Sequence, residues 1–323
     1  MKRIEEVLTG VGRVCILGHI HPDGDCVGSC LGLYNYLRIV RPEIQAQVHL
    51  EPFSDNFSFL QGAAEVDHQF PDLPPYDLCF VMDCGDRERL GPAVRYFDQA
   101  KKRVCVDHHI TNQGFGDEYV IQADASSACE VLYGLLDPEQ VDLATASCLF
   151  LGIVHDTGVF KHSSTTRRTM EVAGQLLDKG VSPSYIIDET FYKKTFAQNK
   201  ALGLALESAR LWLGGQLIAG RVTAQDMRAL GLESRHLDGI VDQLRVTEGV
   251  KVAVFLYTLD EERQEWKVSM RSGDGVDVSR IAVKFGGGGH VRAAGCTLQG
   301  EWTQVVEQVA ALVQQQLAAA EQE

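Results

Sequence analysis

The sequence has no excess of basic residues and no run of them. Its 323 residues include 30 lysines and arginines against 44 aspartates and glutamates, a formal net charge of −14 at pH 7. A broad surface that neutralises the phosphates of long duplex nucleic acid needs the opposite balance. We therefore expect no long duplex nucleic acid as a partner, while a local basic pocket for a small anion stays open.

Long apolar runs and paired cysteines are also missing. The longest apolar run, ASCLFLGIV at residues 146–154, is too short to cross a bilayer. The N-terminal MKRIEEVLTG carries acids where a signal peptide has its apolar region. The nine cysteines form no CxxC pair, which is typical of small buried thiols in a reducing compartment. These patterns predict a cytoplasmic protein with no membrane partner.

What is present in the first half is an alternation of short apolar strands with helical patterns. Helices are predicted at VGSCLGLYNYLRIV, SACEVLYGLL and ASCLFLGIVHD. This alternation predicts the α/β class, with a parallel sheet covered on both faces. The predicted strands are RVCILGHI, IQAQVHL, DLCFVMDC and RVCVDHH.

The pattern changes after residue 184. Residues 184–211 read as one long helix that could connect two domains, and LWLGGQLIAGRV then predicts a hairpin with Gly-Gly at its turn. Thr223 is expected to cap a short helix, a second hairpin is expected to turn near Asp260, and a terminal helix follows. The length suits two domains. We predict a first domain at 1–185, a helical linker at 186–210 and a smaller α/β domain at 211–323.

Polar side chains gather where the apolar elements of the first half end. Buried and unpaired, such groups cost several kcal/mol each. The carboxyl ends of parallel strands converge on one crevice, so cations between these carboxylates would offset their repulsion. Four clusters share this position: His19, Asp23 and Asp25 in GHIHPDGD; Asp83 in VMDCGD; Asp107, His108 and His109 in VCVDHH; and His155 and Asp156 in GIVHDTG.

Mixed imidazole and carboxylate ligation suits divalent first-row metals, and an oxygen-rich set favours Mn²⁺ or Mg²⁺. Four of the aspartates, at positions 23, 25, 83 and 156, bring four negative charges that two divalent cations balance. Such a pair can hold the attacking and leaving oxygens of a phosphate ester. One aspartate at a strand end is more often a cap, but four clusters are harder to explain in that way. We predict two divalent cations, with Mn²⁺ preferred and Mg²⁺ as the alternative.

A second candidate site is the glycine run in KFGGGGHVRAAGC. Without Cβ atoms, the amides of Gly287, Gly288 and Gly289 could approach a phosphate closely. His290 follows directly, and Arg271, at the end of a predicted strand, could supply a bidentate fork. The alternative for the glycine run is a flexible turn, and the alternative for Arg271 is a solvated strand end.

The motifs HIHPDGD, VMDCGD, VDHH and GIVHDTG, in this order, resemble those of the DHH phosphoesterase superfamily. GGGGHVRAAG resembles the signature of the associated DHHA1 domain, so the resemblance spans nearly the whole chain. It implies a five-stranded parallel core in a metal-binding catalytic domain, a substrate-binding second domain, and a cleft between the two. It also implies substrate binding by Arg271 and His290.

The resemblance further implies residue roles. One cation would lie on His19, Asp23 and Asp83, and the second on Asp25, Asp83, His108 and Asp156, so that Asp83 bridges them. His109 would face the scissile phosphate and Asp107 would support the histidines, whereas the role of His155 is left open.

In length and layout the chain is most similar to superfamily members that degrade nanoRNA and dephosphorylate 3′-phosphoadenosine 5′-phosphate (pAp). We therefore expect a metal-dependent oligoribonuclease and pAp phosphatase acting on short oligonucleotides, pAp or dinucleotides. Cyclic di-AMP or linear dinucleotides are the alternative substrates. A non-catalytic nucleotide sensor is a third hypothesis, disfavoured because every motif position carries a competent residue. A homodimer is left open.

Overall fold

The computed structural model describes residues 3–260 and 262–320. The chain forms two compact units that divide between Lys193 and Lys194, and each has its own hydrophobic core. Among the described residues, no helix combines the length and apolarity that a membrane span requires. The limits of the three predicted parts stay a prediction.

The first unit is a parallel sheet with helices on both faces. Its five strands lie in the order β2-β1-β3-β4-β5, and every pair is parallel. The predicted α/β class and five-stranded parallel core are confirmed. The elements are β1 Arg13–Leu17, α1 Gly24–Val40, β2 Gln45–His49, β3 Leu78–Met82, α2 Val94–Gln99, β4 Lys102–Asp107, β5 Glu118–Ile121, α3 Ala128–Tyr133, α4 Leu143–Asp156, α5 Arg167–Asp178 and α6 Pro183–Ile187.

Helices α1 and α4 pack closely in this unit, because glycine lines part of their contact. A Cβ atom on Gly28 would lie 2.5 Å from the carbonyl oxygen of Cys148, closer than such atoms can approach. Most of α1 is buried, and it begins where the Asp23 carboxylate accepts hydrogen bonds from the N–H groups of Asp25 and Cys26. The close packing fixes the start of α1 relative to the end of α4.

The single helix predicted at residues 184–211 is wrong. Helix α6 continues into one π-helical turn, Asp188–Tyr192, and the chain is then extended at Lys193. A new helix begins after Thr195, whose hydroxyl accepts from the N–H of Gln198 while the Gln198 amide oxygen accepts from the N–H of Thr195. This capping box outweighs the continuous helical pattern, because it satisfies backbone donors that a helix start would leave unpaired.

The second unit is a mixed six-stranded sheet in the order β10-β11-β9-β8-β7-β6, in which only β7 and β8 are parallel among the described pairs. Both predicted hairpins form, and Thr223 caps α8, which ends at Gly231 with a φ of 62°. The elements are α7 Phe196–Glu207, β6 Arg210–Trp212, β7 Leu217–Val222, α8 Ala224–Leu230, α9 Ile240–Arg245, β8 Val252–Asp260, β9 Glu265–Ser272, α10 Val278–Lys284, β10 Gly288–His290, β11 Ala293–Gln299 and α11 Trp302–Ala320.

We expect Gly28→Ala to destabilise the protein by about 1–3 kcal/mol, since its Cβ would push α1 away from the backbone of α4. Gly174→Ala is the matched control: this helical glycine has open space where a Cβ would go, so alanine should be neutral or stabilising by up to about 1 kcal/mol. Urea unfolding of both variants measures the difference. Equal effects would contradict the close α1–α4 contact.

Candidate metal centre

Three neighbouring strands of the first sheet end at the same edge, and polar side chains follow each of them. His19 lies just beyond the end of β1, Asp83 directly follows β3, and Asp107 is the last residue of β4. The chain order of these strands brings together side chains from three separate motifs.

Two helices add the remaining carboxylates. Asp23 is the N-cap of α1, Asp25 lies in its first turn, and Asp156 is the last residue of α4. We use the name metal centre for the six residues predicted as ligands, which form one cluster: His19, Asp23, Asp25, Asp83, His108 and Asp156.

Asp83 lies in the middle of the metal centre and is 2% exposed. Its Oδ2 is 3.6 Å from Nε2 of His19, and its Oδ1 is 3.6 Å from Nε2 of His108. No residue that the structure describes donates a hydrogen bond to Oδ1. The φ of 51° at Asp83 is uncommon for a residue other than glycine. Nδ1 of His109 is 3.5 Å from the same Oδ1, so the carboxylate lies near three histidines and has acceptor capacity left.

His108 faces three carboxylates at once. Its Nε2 is 3.0 Å from Oδ2 of Asp156 and 3.7 Å from Oδ2 of Asp25, in addition to its contact with Asp83. The Asp25 side chain is fully buried, and its oxygens accept from the N–H groups of Ala128 (2.6 Å) and Cys129 (3.0 Å) at the start of α3. These bonds hold Asp25 in a place that its own charge would not favour.

Backbone carbonyls orient both histidines of the metal centre. Nδ1 of His19 is 2.7 Å from the carbonyl oxygen of Ile20, and Nδ1 of His108 is 3.4 Å from that of Ala125. A carbonyl only accepts, so Nδ1 carries the proton in each ring and Nε2 of the neutral ring keeps its lone pair. Both Nε2 atoms point towards the carboxylates, as ligating histidines do.

The electrostatics show that the cluster needs positive charge. Burial, with the charges of Asp83 and Asp156, raises the pKa of Asp25. Burial alone would lower the pKa of His19 and of His108, but the neighbouring carboxylates outweigh it and raise each to about 11. The crowded carboxylates and the unpaired Oδ1 of Asp83 fit divalent cations, which would take the place of the Nε2 protons of His19 and His108.

His109 belongs to the same edge but is held differently. Its Nδ1 is 2.8 Å from Oδ1 of Asp107, and this hydrogen bond raises the pKa of His109. Asp107 is fully buried, and its Oδ2 accepts from Nδ2 of Asn112 at 2.6 Å. Sequence reasoning missed Asn112, which a DHHxxN pattern could have indicated.

A second residue that sequence reasoning missed is Cys26. Its Sγ forms a donor group with His19 and Asp83 in which all ligand atoms lie within 4.8 Å of one another. Burial raises the pKa of its thiol. The only sequence signal is its position directly after Asp25.

His155 lies among aromatic side chains. Its ring packs against Phe57 and Phe191, with centroids 5.1 and 4.5 Å away, and burial lowers its pKa to about 4. A Cβ on Gly24 would lie 2.2 Å from Cγ of this ring. His155 is therefore a neutral packing residue at the end of α4.

In the second unit, the glycine run forms part of a hairpin. A Cβ on Gly287 would lie 2.2 Å from the carbonyl oxygen of Gly295, and one on Gly289 would lie 2.5 Å from that of Ala293. These two glycines are explained by close packing against β11. Gly288 is exposed and has open space at the Cβ position.

Arg271 and His290 lie in one row of this sheet. Arg271 of β9 and His290 of β10 both pair with Ala293 of β11, and residues paired in this way share a face. The small side chain between them leaves room for a ligand. The Arg271 guanidinium contacts Asp242 at 3.2 Å, and His290 is exposed. Sequence reasoning did not identify Asp242.

Two family models match the chain. The DHH family N-terminal domain matches residues 13–153, and the DHHA1 domain matches residues 215–319. A solved structure, an exopolyphosphatase-related protein from Bacteroides fragilis, has the same fold, with a TM-score of 0.85 over 98% of this chain and 96% of its own at 21% identity.

Curated relatives cover nearly the full length. The bifunctional oligoribonuclease and PAP phosphatase NrnA of Thermus thermophilus is 33% identical over 99% of this chain and 95% of its own. The protein of the same name from Bacillus subtilis is 28% identical over 87% of each chain. The cyclic-di-AMP phosphodiesterase PdeA of Listeria monocytogenes is 28% identical over 92% of this chain, which covers 46% of that protein.

We expect Asp83→Asn to weaken Mn²⁺ binding by roughly tenfold or more. In chelator, however, the variant should unfold close to the wild-type temperature, because relief of carboxylate crowding offsets the lost attraction of Asp83 for His19 and His108. Chelator competition and thermal unfolding with and without Mn²⁺ measure the two effects.

The control for this variant is Asp67→Asn. Oδ2 of Asp67 is 2.6 Å from Nδ1 of the buried His49, so the change should lower the unfolding temperature and leave Mn²⁺ binding intact. Unchanged Mn²⁺ affinity in Asp83→Asn would contradict the central position of Asp83.

Proposed function

Since the chain belongs to the DHH phosphoesterase family, with a DHHA1 domain in its C-terminal half, we propose that it hydrolyses short oligonucleotides to mononucleotides and dephosphorylates pAp. As a member of this family it is a metal-dependent phosphoesterase. The observation that carries the proposal is Asp83, whose oxygens face His19 on one side and His108 on the other.

We assign two cation positions, with Mn²⁺ as the preferred ion. His19 and Asp23 would hold one cation, Asp25, His108 and Asp156 the other, and Asp83 would contribute to both. When bound, such ions supply Lewis-acid stabilisation of phosphate charge and lower the pKa of water. The role of the protein is to hold these ligands rigidly. Backbone carbonyls accept from Nδ1 of the histidines, and backbone amides donate to the Asp25 carboxylate.

His109 is the residue assigned to the reacting phosphate. Asp107 accepts from Nδ1, which leaves Nε2 of a ring that is 33% exposed free to face a ligand. A protonated His109 could stabilise developing charge or give a proton to the leaving oxygen. Asp107 is a positioning residue, since it acts through His109.

The row Arg271–Ala293–His290 is assigned to a part of the substrate other than the scissile phosphate. Arginine offers a planar fork that matches phosphate, and the exposed Gly288 lies two residues before His290 on β10. Asp242 would orient the guanidinium before substrate binds.

Cyclic di-AMP or the linear dinucleotide made from it is the second candidate substrate. The similarity to the Listeria phosphodiesterase supports it, although this chain spans less than half of that protein. Hydrolysis rates measured with cyclic di-AMP and with pAp as substrates, both with Mn²⁺, distinguish the two activities.

We expect Arg271→Ala and His290→Ala chiefly to raise KM, at a cost of roughly 1–3 kcal/mol for one lost charged hydrogen bond. Arg280→Ala is the control, because this exposed arginine pairs only locally with Asp277 on α10. Steady-state kinetics on pAp separates the two constants. Loss of kcat with KM unchanged would contradict binding away from the reacting phosphate.

We expect kcat/KM to be highest for substrates of about two to five nucleotides and to fall with length, since a net charge of −14 and the absence of basic runs provide no track for further phosphates. Gel-resolved rates on a length ladder with Mn²⁺ at fixed salt, with pAp and cyclic di-AMP in parallel, test the proposed function. Equal or faster degradation of strands of several tens of nucleotides would overturn the short-substrate assignment.

A further inference from the structure

Cys26 is placed at the metal centre by the start of α1. Its N–H donates to Oδ1 of Asp23 at 3.1 Å, and its side chain is fully buried. A Cβ on Gly18 would lie only 2.2 Å from Sγ of Cys26. The missing side chain at Gly18 is therefore what lets the sulfur lie against the end of β1.

The sulfur faces the His19 side of the metal centre. Sγ of Cys26 lies within 4.8 Å of ligand atoms of both His19 and Asp83, and these residues are 4% and 2% exposed. Asp23 adds an oxygen 3.8 Å from Nε2 of His19. The donor group itself thus offers one nitrogen, one carboxylate and one sulfur, with the Asp23 carboxylate close to His19. A donor set that contains sulfur suits Zn²⁺ or Co²⁺ better than Mn²⁺, which prefers oxygen.

We propose that Cys26 is a thiolate ligand at the His19 side, which makes this side a binding site for thiophilic divalent cations such as Zn²⁺. On binding, the S–H proton passes to solvent and a sulfur electron pair forms the bond to the metal. The proposal rests on the proposed function, because it uses His19 and Asp83 of the same centre.

Cys30 provides a matched control on the same helix. It is fully buried one turn after Cys26, and its sulfur lies 3.3 Å from the Cβ position of the same Gly18. It is not a member of the donor group with His19 and Asp83. A change at Cys30 therefore removes a buried thiol from α1 without removing the proposed ligand.

The test loads wild type, Cys26→Ser and Cys30→Ser with Co²⁺ and records near-ultraviolet spectra, with metal content and circular dichroism as checks. We expect a thiolate-to-cobalt charge-transfer band in wild type and Cys30→Ser, and none in Cys26→Ser. Cys26→Ala replaces the serine variant if the latter does not fold. A band that survives in the folded Cys26 variant, or no band in Co²⁺-loaded wild type, overturns the proposal.

Competition with a chelator adds a second measurement. Cys26→Ser should weaken Zn²⁺ binding by roughly tenfold or more, with a smaller change for Mn²⁺. Equal changes for both ions would overturn the proposal. Mn²⁺-supported hydrolysis by the wild type is followed in parallel. A band without hydrolysis overturns the proposed function alone, and hydrolysis without a band overturns the role of Cys26 alone.

Discussion

The crowding of carboxylates at the carboxyl edge of the parallel sheet is the constraint on which this structure depends. Asp25, Asp83 and Asp156 all approach Nε2 of His108 within 3.7 Å. Like charges so close and so buried would repel, and burial together with this repulsion raises the pKa of Asp25. The same carboxylates attract positive charge and so raise the pKa of His108. Divalent cations would offset this repulsion, so the same arrangement is consistent with metal dependence and with the need for a rigid scaffold.

Helices α1, α3 and α4 hold the carboxyl edge of the sheet through contacts that are too close for added side-chain atoms. A Cβ on Gly152 would lie 2.5 Å from Oδ1 of Asp25, and one on Gly28 would meet the backbone of Cys148. The amides at the start of α3 then fix the Asp25 carboxylate. Glycine in these helices lowers their intrinsic stability, and the gain is a metal centre built on rigid elements.

The second unit uses backbone pairing for a similar purpose. Gly287 and Gly289 allow β10 to approach β11, and the short hairpin brings His290 opposite Ala293, with Arg271 on the other side. Two residues far apart in sequence thereby share one face of a sheet. An alanine lies between them, and Arg271 brings a positive charge to this row.

The sequence by itself determined the class of the fold and the composition of the metal centre. Parallel strands end at one edge, so the polar residues that follow them must meet there, and all six predicted ligands lie in one cluster. Only the tertiary structure decided which further residues join them, such as Cys26 beside His19 and Asn112 on Asp107. These contacts depend on packing between elements rather than on periodicity.

The helix at residue 196 and the glycine run show the same difference between what sequence patterns reveal and what packing decides. The capping box at Thr195 was visible in the sequence, yet the continuous helical pattern around it predicted a single helix. The reason for Gly287 and Gly289 was not visible, because it lies in the approach of β11, which local spacing does not encode. The residue types determined the chemistry of the metal centre. Which groups take part in it depends on distances between atoms far apart in the sequence, and only the packing of the elements sets those distances.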